Sequence, residues 1–177
     1  NLAKNDRTLL WLYGTDCVTP EGYSAEQMGE MIQMPVEILE KQQPLKAVSH
    51  LTGTLIQYGE DEPLCPVFTG KTNTEGKIEH DNVEVLGWYL QPTHPAFLRR
   101  KLSSWTSVWS GAPALPALVL QKLAREAGVH IYAETGDQVF AWNDMFALHA
   151  AFKGKRTVTF SKEVDVKDVI ADKIIAG

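Results

Sequence analysis

The stretch "SSWTSVWSGAPALPALVLQKLAREAGVHIY", residues 103–132, changes its period halfway. Before Gly111, Trp105, Ser107 and Trp109 alternate with Thr106 and Val108, the two-residue repeat of a strand. After Pro116, Leu118, Val119, Leu123 and Ala127 recur at helical spacing until Gly128 stops them. "VHIY" (129–132) then reads as another short strand. Strand, small-residue turn, helix and strand make a βαβ unit, the arrangement many α/β enzymes use to hold a ligand at the turn.

Working outward, "TLLWLYG" (8–14) is a continuous apolar run ending in Gly, as a buried parallel strand would be. In "YSAEQMGEMI" (23–32), Ser24 as N-cap with Gln27 three residues on makes a capping box. Tyr23 with Met28 makes a hydrophobic staple, and the helix should end before Pro35. "LKAVSHL" (45–51) is a further strand candidate. The middle differs in kind. "CPVFTG", "VEVLGWYL" and "AFLRRKLSSWTSVWSG" are extended pieces separated by "YGEDEP", "KTNTEGK" and "QPTHP", whose turn chemistry predicts antiparallel hairpins over roughly 60–104. Past the helix come "HIYAETGDQVFAW", "MFALHAAF", "RTVTFSK" and "VDVKDVI", short runs with turn signals at "ETGD" and "KGKR". They predict a small β-rich cap.

These readings give an α/β fold class: a partial flavodoxin-like sheet with an antiparallel insertion and a β-rich C-terminal cap. Three strands, near 8–13, 105–109 and 129–132, can join a parallel sheet. Doubly wound sheets usually have five or more strands covered on both faces, so the expectation is that upstream strands are absent or come from another chain. The domain reading is an α/β domain over 1–132, lacking its first half, and a β-rich extension over 133–177.

Composition sets the outer bounds. At 177 residues, 44% hydrophobic and 22% charged, the chain can bury a real core. A formal net charge of -5 and the lack of a basic run argue against nucleic acid as a partner. No apolar run approaches the roughly 20 residues a membrane span needs. The opening "NLAKNDRTLLWLYG" carries neither an initiator Met nor a signal-like segment, so it reads as a processed product or an excised piece, and the compartment stays open.

The chemistry-bearing residues each have a bland reading beside the sharp one. Cys17 and Cys65 are too few for a disulfide framework or a cysteine-based zinc site; a bridge between them stays open, with two free thiols favoured. Cys17 follows a strand in "YGTDCVTPEG", but Thr15 and Thr19 stand where a nucleophile elbow has Gly. A partly buried loop thiol is the commoner case. Ser110 and Gly111 end a strand where α/β folds place ligands, yet Ala112, Pro113 and Ala114 fill the positions a phosphate cradle gives to Gly. That favours a scaffold turn.

The histidines His50, His80, His94, His130 and His149 show no i, i+4 pair. His130 and His149 with Glu134 or Asp137 is a conceivable two-His, one-carboxylate set. Surface or hydrogen-bonded core histidines are commoner, and no metal or cofactor is expected. Carboxylates total 22, with a cluster in "GEDEP" (59–63), and paired carboxylates serve glycoside hydrolysis; adjacent acids in a turn are usually just solvated. Trp11, Trp88, Trp105, Trp109 and Trp142 offer sugar-stacking faces, but four lie in strand-like runs, so one or two are expected at the surface. No constellation completes an active site, and no catalytic residue is assigned.

The order "WTSVWSGAPALPALVLQKLAREAGVHIYAETGDQVFAWNDMFALHA" (105–150) resembles a segment of bacterial glycosidase-like proteins. It is similar to the end of their glutamine-amidotransferase-like domain, itself related to the β-galactosidase trimerisation domain. "RTLLWLYG…PEGYSAEQMGEMIQM" and "VEVLGWY" are similar to its middle strands and helix. The Cys elbow and His-x-Glu of true class I amidotransferases do not occur here. The resemblance therefore implies an accessory or oligomerisation module of a carbohydrate-active protein, with catalytic carboxylates on a separate barrel. It implies self-association or contact with a glycosidase catalytic domain, and carbohydrate as a further partner. The alternatives are a hydrolase or transferase acting on a sugar or amide through Cys17 or paired carboxylates, and a carbohydrate-binding module. A truncated sheet would leave "TLLWLYG" or "WTSVWSG" as an apolar edge needing cover from an upstream half, the cap or a second subunit.

Overall fold

The computed structural model describes residues 5–91 and 93–176; Pro92, in the expected loop 91–95, and the first four residues lie outside the described set. The chain forms two compact units, Asn1–Leu120 and Gln121–Gly177. In the first unit the elements run β1 (Arg7–Leu12), β2 (Val18–Thr19), β3 (Gly22–Tyr23), α1 (Ala25–Ile32), β4 (Val36–Leu39), β5 (Gln43–Ser49) and β6 (Ile56–Leu64). They continue with β7 (Val67–Gly70), β8 (Val83–Tyr89), β9 (Pro95–Lys101) and β10 (Trp105–Ser110). Helix α2 (Ala117–Glu126) spans the boundary, and the second unit adds β11 (Gln138–Trp142), β12 (Met145–His149), β13 (Val166–Asp168) and β14 (Lys173–Ala176).

The protein is mostly β, not the expected α/β flavodoxin-like fold: strands take 42% of it against 11% for helices. Its main sheet has six strands in the order β1-β10-β9-β8-β5-β6 and curls into a half-barrel. Only β1 and β10 run parallel, Arg7 opposite Trp105 through Leu12 opposite Ser110. Every other neighbour in that sheet is antiparallel. The physical reason lies in the connections. Only residues 102–104 separate β9 from β10, and only 90–94 separate β8 from β9. Parallel neighbours need a crossover of a dozen residues or more, so links this short force antiparallel pairing. The expected insertion is thus the body of the sheet. "VHIY" forms no strand; its backbone is met at Tyr132, whose carbonyl accepts from the Thr159 N–H at 2.8 Å.

Irregular pairing produces the curl. The register shifts between Pro44 and Lys46 on β5, and on both sides of Gly87 on β8. Such bulges bend a strand and increase its twist. Gly59 faces the β5 bulge at φ +96°, and a Cβ there would lie 2.0 Å from the Leu45 carbonyl oxygen. No other residue type fits. "YGEDEP", expected as a turn, is therefore part of β6, held by the ladder to β5 despite its turn-forming composition.

Two apolar clusters fill the unit. Met28 and Ile32 of α1 meet Val36, Phe68, Leu98, Trp109 and Cys17. Leu45, Ala47, Tyr58, Val67, Tyr89, Ala96 and Ala112 form the second. The short β4–β7 ladder serves both, sending Val36 and Phe68 into one and Val67 into the other. Burying a side chain of Leu, Met or Phe size contributes about 1.5–3 kcal/mol, and Trp109, Tyr89, Phe68 and Phe97 are among those fully buried. Helix α1 begins as expected at Ser24, whose hydroxyl accepts from the Gln27 N–H at 3.1 Å. The reciprocal half of the capping box does not form. The Gln27 amide donates to the Asp16 carbonyl at 2.8 Å, while the Ser24 N–H goes to Cys17. Tyr23 stands exposed while Met28 is fully buried. The helix stops at Ile32, with Gln33 left-handed at φ +60°.

The second unit is built from two hairpins, β11–β12 and β13–β14. Within it the rings of Tyr132, Phe146 and Phe160 pack with centroids 5.4–5.9 Å apart. A charged clip closes the unit. Asp137 accepts from Arg156, from the Thr135 hydroxyl and from the Ala151 N–H.

Candidate functional site

The turn after β10 is tied into the first unit on several sides. The Ser110 hydroxyl donates to the Ala112 carbonyl at 2.7 Å and lies 3.0 Å from the Tyr58 hydroxyl, so both its bonding directions are used. The Gly111 N–H donates to the Ala96 carbonyl at 2.8 Å. A Cβ on Gly111 would come within 2.3 Å of the Tyr89 hydroxyl and 3.0 Å of the Phe68 carbonyl oxygen. Backbone comes close here to pack against Tyr89 and Phe68, not to admit an anion. Burial pushes the Tyr58 phenol up to about 12 and the Tyr89 phenol higher still. Tyr89 donates to the Phe68 carbonyl at 2.9 Å.

Cys17 and Cys65 are both free, the first buried and the second exposed. The Cys17 Sγ sits 2.8 Å from where a Gly14 Cβ would be, beside Phe68. Burial pushes its thiol up, with Asp16 adding in the same direction. A nucleophilic thiol needs the opposite environment.

The histidines do not converge. His50 stacks on Trp88 at 5.3 Å, and the His80 Nδ1 accepts from the Asn82 N–H at 3.2 Å. His130 bonds the Thr159 carbonyl oxygen through Nε2 at 2.6 Å. Glu134 pairs with Arg125 and Asp137 with Arg156, so the two-His, one-carboxylate set is not assembled around His130 and His149. No group of three His, Cys, Asp or Glu able to hold a metal occurs among the described residues. The acids of "GEDEP" lie exposed along β6, where Asp61 pairs with Lys46. Among the tryptophans Trp109 is fully buried, Trp11, Trp88 and Trp105 are half-buried, and Trp142 is 75% exposed.

What does stand out is the difference between the two edges of the main sheet. The β6 edge carries Glu60, Asp61, Glu62 and Pro63, charges and a missing donor that discourage another strand. The β1 edge, "RTLLWL", has no such guard. Its only sheet neighbour among the described residues is β10, and it leaves Leu10 36% and Leu12 47% exposed. Trp11 and Leu9 face the other way, the Trp11 indole N–H donating to the Ser107 hydroxyl at 3.1 Å. Ser107 in turn donates to the Ile32 carbonyl, which ties β1 through β10 to the end of α1. The edge is rigidly mounted. Of the two runs expected as an apolar edge, "TLLWLYG" supplies it as β1, in a mostly antiparallel sheet and not the truncated parallel one, while "WTSVWSG" lies inside the sheet as β10. The polar residues at the tip of the β11–β12 hairpin are signalled by "WNDM" (142–145), an Asn-Asp turn between two strands.

No protein-family model, curated protein or solved structure matches the chain.

Proposed function

We propose that the chain is a non-catalytic assembly module, carried by a carbohydrate-active protein of the kind its 105–150 segment resembles, and that it self-associates through β1. The observation that carries this reading is the asymmetry of the sheet edges, one guarded by acids and proline and the other apolar. An edge strand exposes a row of backbone donors and acceptors that a second strand satisfies. The occupant we assign is β1 of a second copy, paired across a two-fold axis, since a two-fold interface uses the same patch on both subunits. Such an interface should bury about 1,000 Å² or more in total. The hydrolase alternative is disfavoured by the buried, upward-shifted Cys17 thiol.

Light scattering across a dilution series tests the assignment. The chain should be dimeric at high concentration, and Leu10→Lys with Leu12→Lys should make it monomeric while leaving its circular dichroism unchanged. A chain that is monomeric at every concentration, or a dimer indifferent to both lysines, removes β1 as the interface.

A further inference from the structure

The second unit contains a cavity that nothing above has used. Its volume is about 440 Å³, inside the range of roughly 300–1,000 Å³ typical of small-molecule sites. Its wall holds the half-buried rings of Tyr132, Phe146 and Phe160, and the exposed Trp142 at the tip of the β11–β12 hairpin. Phe160 meets Tyr132 and Phe146 edge to face, at interplanar angles of 78° and 71°. A contact of that kind covers a face of only one of its two rings, so the cluster does not consume all its own π faces. His130, also edge to face with Tyr132, is held by the Thr159 carbonyl and takes no part in the wall.

The charges of the wall do not balance. Lys167 is spent on Asp172, while the Asp144 and Asp165 side chains enter no hydrogen bond or ion pair among the described residues. That leaves two carboxylates against the single ammonium of Lys162. All three are exposed, so each alone acts weakly through water. The aromatic rings decide what their surplus serves. A ring face is the negative end of a quadrupole and attracts a cation lying within about 6 Å of the centroid. Rings and surplus carboxylate therefore favour the same sign of ligand. A bare metal ion does not suit the wall, since no group of three His, Cys, Asp or Glu converges among the described residues. An alkylated ammonium does, because its charge is spread over methyl groups that pack on ring faces.

We infer that this cavity binds a small quaternary ammonium ion. The rings of Trp142, Tyr132, Phe146 and Phe160 receive its methyl groups, and Asp144 and Asp165 supply the counter-charge. Lys162 opposes the ligand and limits its affinity. That opposition fixes a sign: removing the Lys162 charge helps a cation, hinders an anion and leaves a neutral molecule unmoved. The inference uses the second unit alone, so it stands or falls independently of pairing through β1.

The test is calorimetric titration of the full chain with choline and tetramethylammonium. Two relatives of choline serve as controls: ethanolamine, which lacks the N-methyl groups, and 3,3-dimethyl-1-butanol, which has the shape without the charge. Choline should bind with a Kd of about 1 mM or tighter, and both controls about tenfold more weakly. Trp142→Ala should weaken choline about tenfold and Trp142→Phe less. Asp144→Asn and Asp165→Asn should each weaken it about twofold to fivefold, and Lys162→Gln should tighten it by a similar factor. Because Trp142 is exposed, its alanine variant should keep the wild-type melting curve, which separates lost binding from lost folding. The double lysine variant of β1 should bind choline as the wild type does. Absence of binding by both cations at about 10 mM would overturn the assignment. So would equal affinity for the uncharged analogue, binding that survives Trp142→Ala, or a Lys162→Gln variant that binds choline no tighter.

Discussion

The hydroxyls of Tyr58 and Ser110 lie 3.0 Å apart, although their strands, β6 and β10, are separated in the sheet by β5, β8 and β9. In a flat sheet, strands that far apart would stand well beyond hydrogen-bonding reach, since each step is about 4.8 Å. The bond is therefore a direct consequence of the curl, and it spans the half-barrel. Ser110→Ala leaves a buried phenol without its partner and should cost about 1–3 kcal/mol in urea unfolding. Tyr58→Phe leaves the Ser110 hydroxyl still donating to Ala112, and should cost about 1 kcal/mol. Equal costs for the two would show that the bond carries no such asymmetry.

The same tyrosine sets an alkaline limit. An unfolded Tyr ionises near about 10. In the folded chain Tyr58 is pushed up to about 12, and Tyr89 is shifted the same way by burial. Raised phenols favour the folded state while neutral, so their contribution is complete below about pH 10 and is lost as pH climbs from there towards the folded values. Stability should fall steeply across that window. In Tyr58→Phe the slope should be shallower by the share of one proton, which pH-dependent urea midpoints would resolve.

Gly111 should be irreplaceable while Tyr89 keeps its hydroxyl. Gly111→Ala places a methyl 2.3 Å from the Tyr89 oxygen and 3.0 Å from the Phe68 carbonyl, a clash inside a closed core. Overpacking of this kind typically costs about 1–3 kcal/mol. Tyr89→Phe removes the nearer obstacle, so the double variant should be less destabilised than the sum of the two singles. Strict additivity in that double-mutant cycle would mean that the clash is relieved elsewhere.

Much of the secondary structure could be read from the chain, and the architecture could not. The periods on either side of Gly111 mark β10 and α2 where they stand, and the Ser24 cap marks the start of α1. "RTLLWL" does pair in parallel with "WTSVWS", but it is an edge strand with no fully buried residue, not the buried strand its apolar continuity suggests. What misleads is that a strand pairs on two sides. Period and hydrophobicity mark β1 and β10 as strands of one sheet, but they are silent about which strands flank β10, β1 on one side and β9 on the other. The short link 102–104 carried that information, through what a crossover requires. The acid cluster in β6 fails differently, because edge strands tolerate charge and proline that local propensity assigns to turns. The second unit also holds a cavity of about 440 Å³, lined by Trp142, Asn143, Asp144, Lys162 and Asp165 among others, which is not legible at all from spacing. It joins "WND" to residues about twenty positions away through a segment with no regular structure.

The two cysteines should separate cleanly by reactivity. Cys65 is exposed, whereas Cys17 is buried against Phe68 and Gly14, with its thiol shifted upward by that burial. Alkylation proceeds through the thiolate, so both exposure and a low pKa accelerate it. Iodoacetamide at neutral pH should therefore label Cys65 first and Cys17 only on unfolding, as peptide mass mapping over time would show. Rapid labelling of Cys17 in the native chain would reopen the hydrolase reading.

The clip around Asp137 should give the second unit an acid limit of its own. The Arg156 guanidinium, then the Thr135 hydroxyl and the Ala151 N–H, hold the Asp137 carboxyl well below the usual carboxylate range. Its side chain is enclosed, and Arg156 also donates to the Phe152 carbonyl at 2.6 Å, so the pair ties the start of β11 to the segment beyond β12. A carboxyl whose folded pKa is depressed stabilises the folded state above its unfolded pKa of about 3.9, and that stabilisation drains away as pH falls below it. Trp142 is the only tryptophan in the second unit, which makes its indole resonance a local reporter of folding there. In the wild type that resonance should lose its native shift as pH drops below about 4. Asp137→Asn keeps the shape but removes the charge, leaving Arg156 enclosed without a counter-ion. It should loosen the second unit already at neutral pH and flatten its response to acid, while the resonances of Trp109 stay native. A wild-type acid response in Asp137→Asn would mean that the clip is not what limits this unit.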